Sequence, residues 1–361
     1  MSSTVRQFLR TLSERVPLSK AAAWDAVGLQ LGAADGPAER VAVAHEVTES
    51  VLAAVEHEQP DLVISYHSLL FKATNRLVAG SSPEGRAYRL ARLGVSVAAV
   101  HTAFDVVRGG AADRLASALD LVEPRGFGPL WPADTVKVCV FAPESDSEAL
   151  LGAMSDAGAG DVGGYKSCSF RTTGTGTFYA PSSSAPAAGR RGELNREPEV
   201  RLEVVAPKHR ADAVVAAAAS AHPYEEPAID VYDVAANAGF VGRLGALEST
   251  HSLGAFAVAV SEQLGAKVRV AGDAGAEVAR VAVVPGSGAS LIPNLGDVDV
   301  LVTGDVSHHQ ARGALDRGLA IVDAGHAPTE RPGVQALYAL VAEIADDAID
   351  LTAIDPDPWR E

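Results

Sequence analysis

Short apolar runs that alternate with helical patterns constrain the fold of this chain more than any other feature. Residues 41–44, 61–65 and 95–100 are apolar at most positions, and helical patterns at 49–58 and 84–93 separate them. Strands that are apolar on nearly every residue are typical of parallel sheets covered by helices on both faces. The sequence therefore predicts an α/β fold with a mostly parallel sheet.

The same alternation returns in the last third of the chain. It predicts strands at 278–284, 298–303, 319–322 and 349–354, and helices at 308–317 and 334–344. A parallel sheet can be assembled from distant parts of a chain, since parallel strands need crossover connections in any case. The two ends of the chain are thus predicted to form one core.

The middle of the chain has a different texture. Strand and helix patterns at 136–141, 146–156, 201–206, 211–221 and 228–234 are separated by glycine-rich and Ser/Pro-rich stretches. A β-α-β, β-α-β order of this size is typical of a ferredoxin-like or related α+β module. We therefore predict that residues 127–240 are a domain inserted into a discontinuous core of residues 1–126 and 241–361.

Composition and charge restrict the partners of this chain. Its 361 residues carry a net charge of −16, which argues against a nucleic-acid partner because phosphate backbones attract basic surfaces. No apolar stretch reaches the roughly 18 residues needed to span a bilayer, and the N-terminus lacks the apolar region of a signal peptide. Two cysteines form neither a disulfide framework nor a thiolate metal site. A cytoplasmic protein without a membrane partner is expected.

Four polar segments lie where predicted strands end, at residues 65–71, 101–105, 303–309 and 323–330. Ligands of open parallel sheets bind outside the carboxyl ends of the strands. The segments contain imidazoles and carboxylates but no thiols, which favours Zn, Mn, Fe or Ni over a soft metal. A metal site at this end of the sheet is therefore predicted.

Each of these residues also has a purely structural explanation. His67 can be a hydrogen-bonded histidine at a strand end, Asp105 can belong to a turn or helix cap, and Glu330 can sit favourably in the first turn of a helix. His308 and His309 can be the exposed start of a helix. The coincidence of four such segments, all at strand ends, favours the metal site.

Several motifs resemble those of the NIF-three-like family, whose members are commonly named GTP cyclohydrolase 1 type 2 homologues. They are Trp24-Asp-Ala-Val-Gly-Leu-Gln-Leu-Gly32, Ser65-Tyr-His, His101-Thr-Ala-Phe-Asp105, Thr303-Gly-Asp305, Asp323-Ala-Gly-His-Ala-Pro-Thr-Glu330 and, in the middle segment, Ala221-His-Pro-Tyr-Glu-Glu-Pro227. The last resembles a stretch of longer members, whose insert is similar to the PII and CutA trimeric folds.

The resemblance implies an α/β core with a centre of two divalent metal ions (Zn, Fe, Mn or Ni) and a homohexamer. The residues that match the family's ligands are His67, Asp105, His326 and Glu330, and His101 matches a position near the metals. Its implied activity is a GTP cyclohydrolase-like hydrolysis, and no organic cofactor is expected.

Tyr66 marks a departure from the family pattern, since many bacterial members have a His-His pair where this chain has Tyr66-His67. Side chains alternate faces along a strand, so we expect His67 to be the stronger ligand and Tyr66 to lie beside the second metal or its water. His101 or one of His308 and His309 is the candidate proton shuttle.

Two functions follow as hypotheses. One is a metal-dependent hydrolase of a nucleotide-like or heterocyclic small molecule. The other is a metal-binding regulatory or scaffold assembly whose inserted domain binds an effector or partner. Within the insert, His222, Glu225 and Glu226 are either an extra site or a proline-bracketed structural turn, of which the turn is favoured.

Overall fold

The computed structural model describes residues 3–130, 135–162, 165–234, 239–354 and 357–359. Contacts between residues divide the chain into two compact units. Met1–Pro132 and Ala238–Glu361 form the larger unit, and Ala133–Asn237 form the smaller unit. Phe127 and Phe240, at the boundaries predicted from the sequence, lie in paired strands of the larger unit.

The described residues form helices and strands along the whole chain. The α-helices are α1 (Val5–Arg15), α2 (Glu49–Glu58), α3 (Pro83–Leu93), α4 (His101–Val106), α5 (Ala111–Ala118), α6 (Ser147–Asp156), α7 (Ala211–Ala221), α8 (Leu253–Leu264), α9 (His308–Leu315) and α10 (His326–Ala342). The strands are β1 (Gly28–Leu31), β2 (Arg40–Ala44), β3 (Leu62–Ser65), β4 (Ser96–Ala99), β5 (Val122–Leu130), β6 (Thr135–Ala142), β7 (Ser169–Tyr179), β8 (Leu194–Pro207), β9 (Ile229–Asp233), β10 (Gly239–Ser252), β11 (Arg269–Ala271), β12 (Glu277–Ser287), β13 (Val300–Gly304), β14 (Ala320–Asp323) and β15 (Asp347–Asp350).

Local sequence signals explain several helix ends. Thr4 and Gln7 form a capping box at the start of α1, and Ser307 and Gln310 form another at the start of α9. Each box satisfies backbone N–H groups that have no partner within the helix. Gly94 ends α3 with a φ of 76°, a left-handed conformation that glycine adopts without steric cost.

Sheet A of the larger unit has the strand order β1-β4-β3-β2-β15. β15, β2, β3 and β4 run parallel to their neighbours, and only the edge strand β1 is antiparallel, to β4. Every residue of β3 and β4 is buried, as expected for strands covered on both faces. The α/β class with a parallel sheet, predicted from the apolar runs, is confirmed here.

Sheet B of the larger unit has the order β11-β14-β13-β12-β10-β5. β12, β13 and β14 are parallel, whereas β5, β10 and β11 pair antiparallel. The sequence predicted one mostly parallel sheet, but the structure has two, and sheet B is mixed. The reason is that β5 and β10 are largely exposed and lack the continuous apolar run by which a buried parallel strand is recognised.

Helix α10 begins at His326, earlier than the helix predicted at 334–344. Its first turns contain two prolines, which are atypical of a helix interior. Pro328 lies in the first turn, where a backbone N–H has no acceptor within the helix, so nothing is lost there. Pro332 lies inside the helix and removes one backbone hydrogen bond.

The same helix contacts strands of both sheets. α10 packs against β2 and β15 of sheet A and against β12 and β13 of sheet B. Val334 and Leu337 belong to a core cluster that includes strands of sheet A. A Cβ atom on Gly333 would lie 2.6 Å from the Cα atom of Ala111, so glycine permits the close approach of α10 and α5.

The smaller unit is a four-stranded sheet with the order β7-β8-β6-β9, and all neighbouring strands are antiparallel. Its chain order is β-α-β-β-α-β. The core contains residues of α6 and α7 together with Val138, Val140, Leu202 and Val204 from the two central strands. This unit therefore has a hydrophobic core of its own.

No helix in the described ranges has both the length and the apolar character required to cross a lipid bilayer.

Removal of the smaller unit should leave a folded larger unit. Leu130 pairs with Gly239 in the antiparallel β5–β10 ladder, so the segment between them can be replaced by a two-residue Asn-Gly turn. Circular dichroism should show cooperative thermal unfolding of the shortened chain. A shortened chain that is unfolded under conditions where the full chain is folded would contradict the separation into units.

Candidate metal centre

Three neighbouring strands of sheet A place aromatic and imidazole side chains side by side. His45 follows β2, Tyr66 and His67 follow β3, and His101 begins α4 shortly after β4. Backbone hydrogen bonds continue past the strand ends: His67 N donates to His45 O, and His101 N donates to Tyr66 O, each at 2.9 Å. The three segments therefore stay in register at the point where their side chains meet.

Sheet B and α10 supply the opposite side. Asp305 follows β13, and His326 and Glu330 occupy adjacent turns at the start of α10. Residues four apart lie on one face of a helix, so both α10 side chains point the same way. A Cβ atom on Gly304 would lie 2.5 Å from His326 N, so glycine at this strand end lets α10 start close to the sheet.

The Glu330 carboxylate lies at the centre of the cluster and is only 3% exposed. Its Oε2 atom is 2.7 Å from His45 Nε2 and 3.3 Å from His67 Nε2. Its Oε1 atom is 3.1 Å from His326 Nε2. Two imidazoles at the end of sheet A and one on α10 therefore surround one buried carboxylate.

These contacts shift the pKa values of the partners in opposite directions. Burial alone would raise the pKa of Glu330, but the hydrogen bonds from His326, His45 and His67 outweigh it and hold that pKa well below its usual range. Burial favours the neutral His326 ring, yet the Glu330 and Asp305 carboxylates raise its pKa to about 9. Positive charge is therefore stabilised beside an ionised carboxylate, where a cation would also bind.

Tyr66 is fully buried and holds Asp105. The Tyr66 hydroxyl donates a hydrogen bond of 2.5 Å to Asp105 Oδ1. Burial raises the pKa of the Asp105 carboxyl to about 7, although the nearby His101 ring and the Tyr66 hydroxyl act in the opposite direction. β3 ends at Ser65, so strand alternation does not separate Tyr66 and His67, whose ring centroids are 5.2 Å apart.

His101 is fixed by a residue outside the sheet. Its Nδ1 atom lies 2.9 Å from Asp25 Oδ1, and Thr102 donates hydrogen bonds to the same carboxylate. This leaves Nε2 as the nitrogen that can bind a metal or carry a proton. The His101 ring centroid is 5.3 Å from that of His67, and its φ of 28° is a strained backbone conformation for a non-glycine residue.

The donor set fits a first-row divalent cation. Imidazole nitrogens and carboxylate oxygens are the ligands that Zn, Fe, Mn and Ni accept in proteins. His45, His67 and Glu330 offer ligand atoms that all lie within 4.8 Å of one another. The outward nitrogen of His326, Nδ1, is held by Asp305 Oδ2 at 2.6 Å, an arrangement that orients ligand histidines in metal sites.

Gly286 leaves space beside this donor set. It lies near the C-terminal end of β12 with a φ of 63°, and a Cβ atom there would be 2.5 Å from Glu330 Oε1 and 3.2 Å from His326 Nε2. Thr329 Oγ1 accepts a hydrogen bond from Gly286 N, which joins the end of β12 to α10. Any larger residue would displace the carboxylate.

The structure brings together most residues that the sequence singled out. His67, His326 and Glu330 are in direct contact, Asp105 joins them through Tyr66, and His101 borders His67. His309 is exposed on α9 beside His308, and no contact among the described residues links it to the cluster.

His45 and Asp25 were not proposed as site residues from the sequence. His45 directly follows the buried strand β2 and so carried the same strand-end signal as His67. Asp25 belongs to the Trp24–Gly32 motif, but it lies in an irregular segment before β1 rather than at a strand end, and it reaches His101 only in the folded chain.

Comparison with known proteins decides the family. The model of the Duf34/NIF3 (NGG1p interacting factor 3) family matches residues 3–358. This chain belongs to the Duf34/NIF3 family. The resemblance inferred from the motifs is therefore confirmed over almost the whole chain.

Relatives of this Duf34/NIF3 protein match over most of their own length. A GTP cyclohydrolase 1 type 2 homolog of Bacillus subtilis is 36% identical over 328 residues, which cover 89% of this chain and 87% of the relative. One from Mycobacterium tuberculosis is 35% identical and covers 100% of this chain and 97% of the relative. The crystal structure of a Bacillus cereus protein related to NIF3 matches with a TM-score of 0.67 at 32% identity, covering 100% of both chains.

Tyr66→Phe should destabilise the protein more than a control substitution does. The change removes the donor to Asp105, and an unsatisfied buried acceptor costs about 1–3 kcal/mol. Tyr338→Phe on α10 is the matched control, since Tyr338 is only partly buried. Chemical denaturation measures both free energies of unfolding, and equal values for the two variants would show that the Tyr66–Asp105 bond contributes nothing.

Gly286→Ala should weaken metal binding by at least about tenfold, because its Cβ atom would displace the Glu330 carboxylate. Gly94→Ala is the matched control: Gly94 has a φ of 76° and no atom within 4 Å of an added Cβ. Each variant should lose about 1–2 kcal/mol of stability from the left-handed backbone. Calorimetric titration with Zn²⁺ separates them, and equal affinities would exclude Gly286 from the centre.

Proposed function

We propose that this protein is a metal-dependent hydrolase of a nucleotide-like or heterocyclic small molecule. The observation that supports this most directly is the buried Glu330 carboxylate surrounded by the imidazoles of His45, His67 and His326. A purely structural role for so many titratable groups in one buried place would be costly, since buried charges lose their hydration.

Two divalent cations are part of the proposal. His45, His67, His326 and Glu330 would hold one of them, and Asp105 would contribute to holding a second beside it. The cations would supply Lewis acidity that polarises a bond of the substrate and makes water a nucleophile near neutral pH.

The residues around the ligands have distinct tasks. Tyr66 orients Asp105 through its hydroxyl, and Asp305 orients the His326 ring. Asp25 holds Nδ1 of His101, so that Nε2 can take up or deliver a proton at the reacting group. The proton shuttle is therefore assigned to His101 rather than to the exposed His309.

An aromatic corner beside His101 favours a planar substrate. Trp24 is 62% exposed and Phe71 is 50% exposed, and their ring centroids lie 6.0 Å apart. The centroid of the Trp24 ring also lies 6.2 Å from that of the His101 ring. Exposed aromatic faces bind planar rings by stacking, which agrees with the GTP cyclohydrolase names of the relatives.

The regulatory alternative remains relevant for the smaller unit, which contains a cavity of its own. A closed homo-oligomer, a hexamer, is proposed on the family resemblance, and closed symmetry is the usual form of soluble oligomers. Light scattering of the purified protein measures the mass of the assembly, which should be that of six chains.

Metal analysis of a ligand variant tests the proposal. The wild-type protein should contain up to two first-row divalent ions per chain and hydrolyse at least one compound in a panel of nucleotides and pterin-like heterocycles. A double His326→Ala, Glu330→Ala variant should lose most of the metal and the activity, because each lost ligand weakens affinity by orders of magnitude.

His57→Ala is the control for these substitutions, since the His57 side chain is 84% exposed on α2. It should retain the metal and the activity. Full metal content in the double variant would refute the centre. A fully loaded protein that converts no compound of the panel would refute the hydrolase but leave the metal-binding assembly.

A further inference from the structure

A cavity of about 490 Å³ lies wholly within the smaller unit, apart from the candidate metal centre. Its walls come from the end of β7, from β8, from the loop at residues 180–188 and from the His-Pro-Tyr-Glu-Glu-Pro segment at 222–227. This segment was prominent in the sequence and has no part in the proposed hydrolysis. The volume of the cavity is in the range of small-molecule sites.

The lining of the cavity is aromatic and acidic. It includes the rings of Tyr179 and Tyr224 and the carboxylates of Glu199, Glu225 and Glu226, and no described residue of the lining is Lys, Arg or His. Aromatic faces and unneutralised carboxylates together attract cations. An anionic ligand is therefore disfavoured.

The segment that carries these groups is held by its own histidine. His222 Nε2 lies 3.0 Å from Phe141 O, and His222 Nδ1 accepts a hydrogen bond of 3.0 Å from Tyr224 N. Both ring nitrogens are thus engaged by the backbone, so His222 is a structural residue and not a metal ligand, as the sequence favoured. The role of His222 is to position Tyr224 and Glu225 at the wall of the cavity.

Two carboxylates lie at the walls. Glu225 Oε2 accepts a hydrogen bond of 3.0 Å from Ala185 N and so ties the loop to the segment. The Glu199 carboxylate lies over Gly176, where the Cβ atom of any other residue would overlap it. Burial and a contact with the Glu199 carboxylate raise the pKa of the Tyr224 hydroxyl to about 12.

We propose that this cavity binds an organic cation, with one or more ammonium groups on an apolar frame. The ammonium groups would meet Glu199 and Glu225, and the frame would lie against the rings of Tyr179 and Tyr224. The lining also includes the rings of Phe141 and Phe178, and the Arg201 guanidinium lies over the Phe141 ring, 5.9 Å from its centroid.

A metal ion is a poorer occupant of this cavity. Among the described residues, the one group of three or more His, Cys, Asp or Glu side chains that converges within 4.8 Å is His45, His67 and Glu330. The carboxylates of the cavity are therefore spread along its walls. Separated carboxylates match an extended cation better than a single ion, which needs several ligands at one point.

Calorimetric titration of the full-length protein tests the proposal, with spermidine and phenethylamine as probes. At least one amine should bind saturably, with one site per chain. Glu199→Gln and Glu225→Gln should each weaken that binding by about tenfold or more, since each removes a charge-assisted contact. Gly176→Ala should weaken it similarly, because it keeps every charge but displaces the Glu199 carboxylate.

Asp212→Asn is the matched control, because Asp212 is exposed on α7 and does not line the cavity. It removes the same charge and should change the affinity by less than about twofold. Metal content at the His45–Glu330 centre should be the same in all these variants, so the outcome is independent of the proposed hydrolase.

Four results would overturn the proposal. The first is that neither amine binds at millimolar concentration, and the second is that phenethyl alcohol, the uncharged analogue, binds as well as phenethylamine. The third is that the Glu199→Gln and Glu225→Gln variants bind the amine as tightly as Asp212→Asn does. The fourth is that the wild-type protein binds Mn²⁺ and not the amines at this cavity, and that Glu199→Gln and Glu225→Gln abolish the Mn²⁺ binding.

Discussion

The cluster of imidazoles around the buried Glu330 carboxylate is the interaction on which the larger unit depends. Glu330 comes from α10, whereas His45 and His67 follow strands of sheet A, so the contacts join parts of the chain that are far apart in sequence. A carboxylate that is buried without a partner is destabilising by several kcal/mol. The imidazoles remove that cost, and the place where they converge is also the place where a cation is most favoured.

Close backbone approaches make this convergence possible. Gly304 lets the start of α10 lie against the end of β13, and Gly286 leaves room beside the Glu330 carboxylate. Gly333 does the same where α10 crosses Ala111 of α5. At each of these positions a single methyl group would collide with a neighbour, and interiors of this density adapt poorly to added volume.

The sequence predicted the buried strands well because a strand covered on both faces must be apolar throughout. β2, β3 and β4 were recognised for that reason, whereas the exposed strands β5 and β10 were not. The helix predicted at 334–344 begins later than α10, whose first turns contain Pro328 and Pro332. His67 and Glu330 were found as candidate site residues, since polar groups at strand ends and metal-type side chains are visible in a linear sequence.

The sequence by itself determined the family, the α/β class and the segments that carry site chemistry, because these depend on short-range patterns and motifs. The tertiary structure decided which groups meet. Asp25 reaches His101 across 76 positions of the chain, and His45 reaches Glu330 across 285. Such pairings depend on how the two sheets pack about α10. The pattern of neighbouring residues in the chain does not specify contacts over those separations.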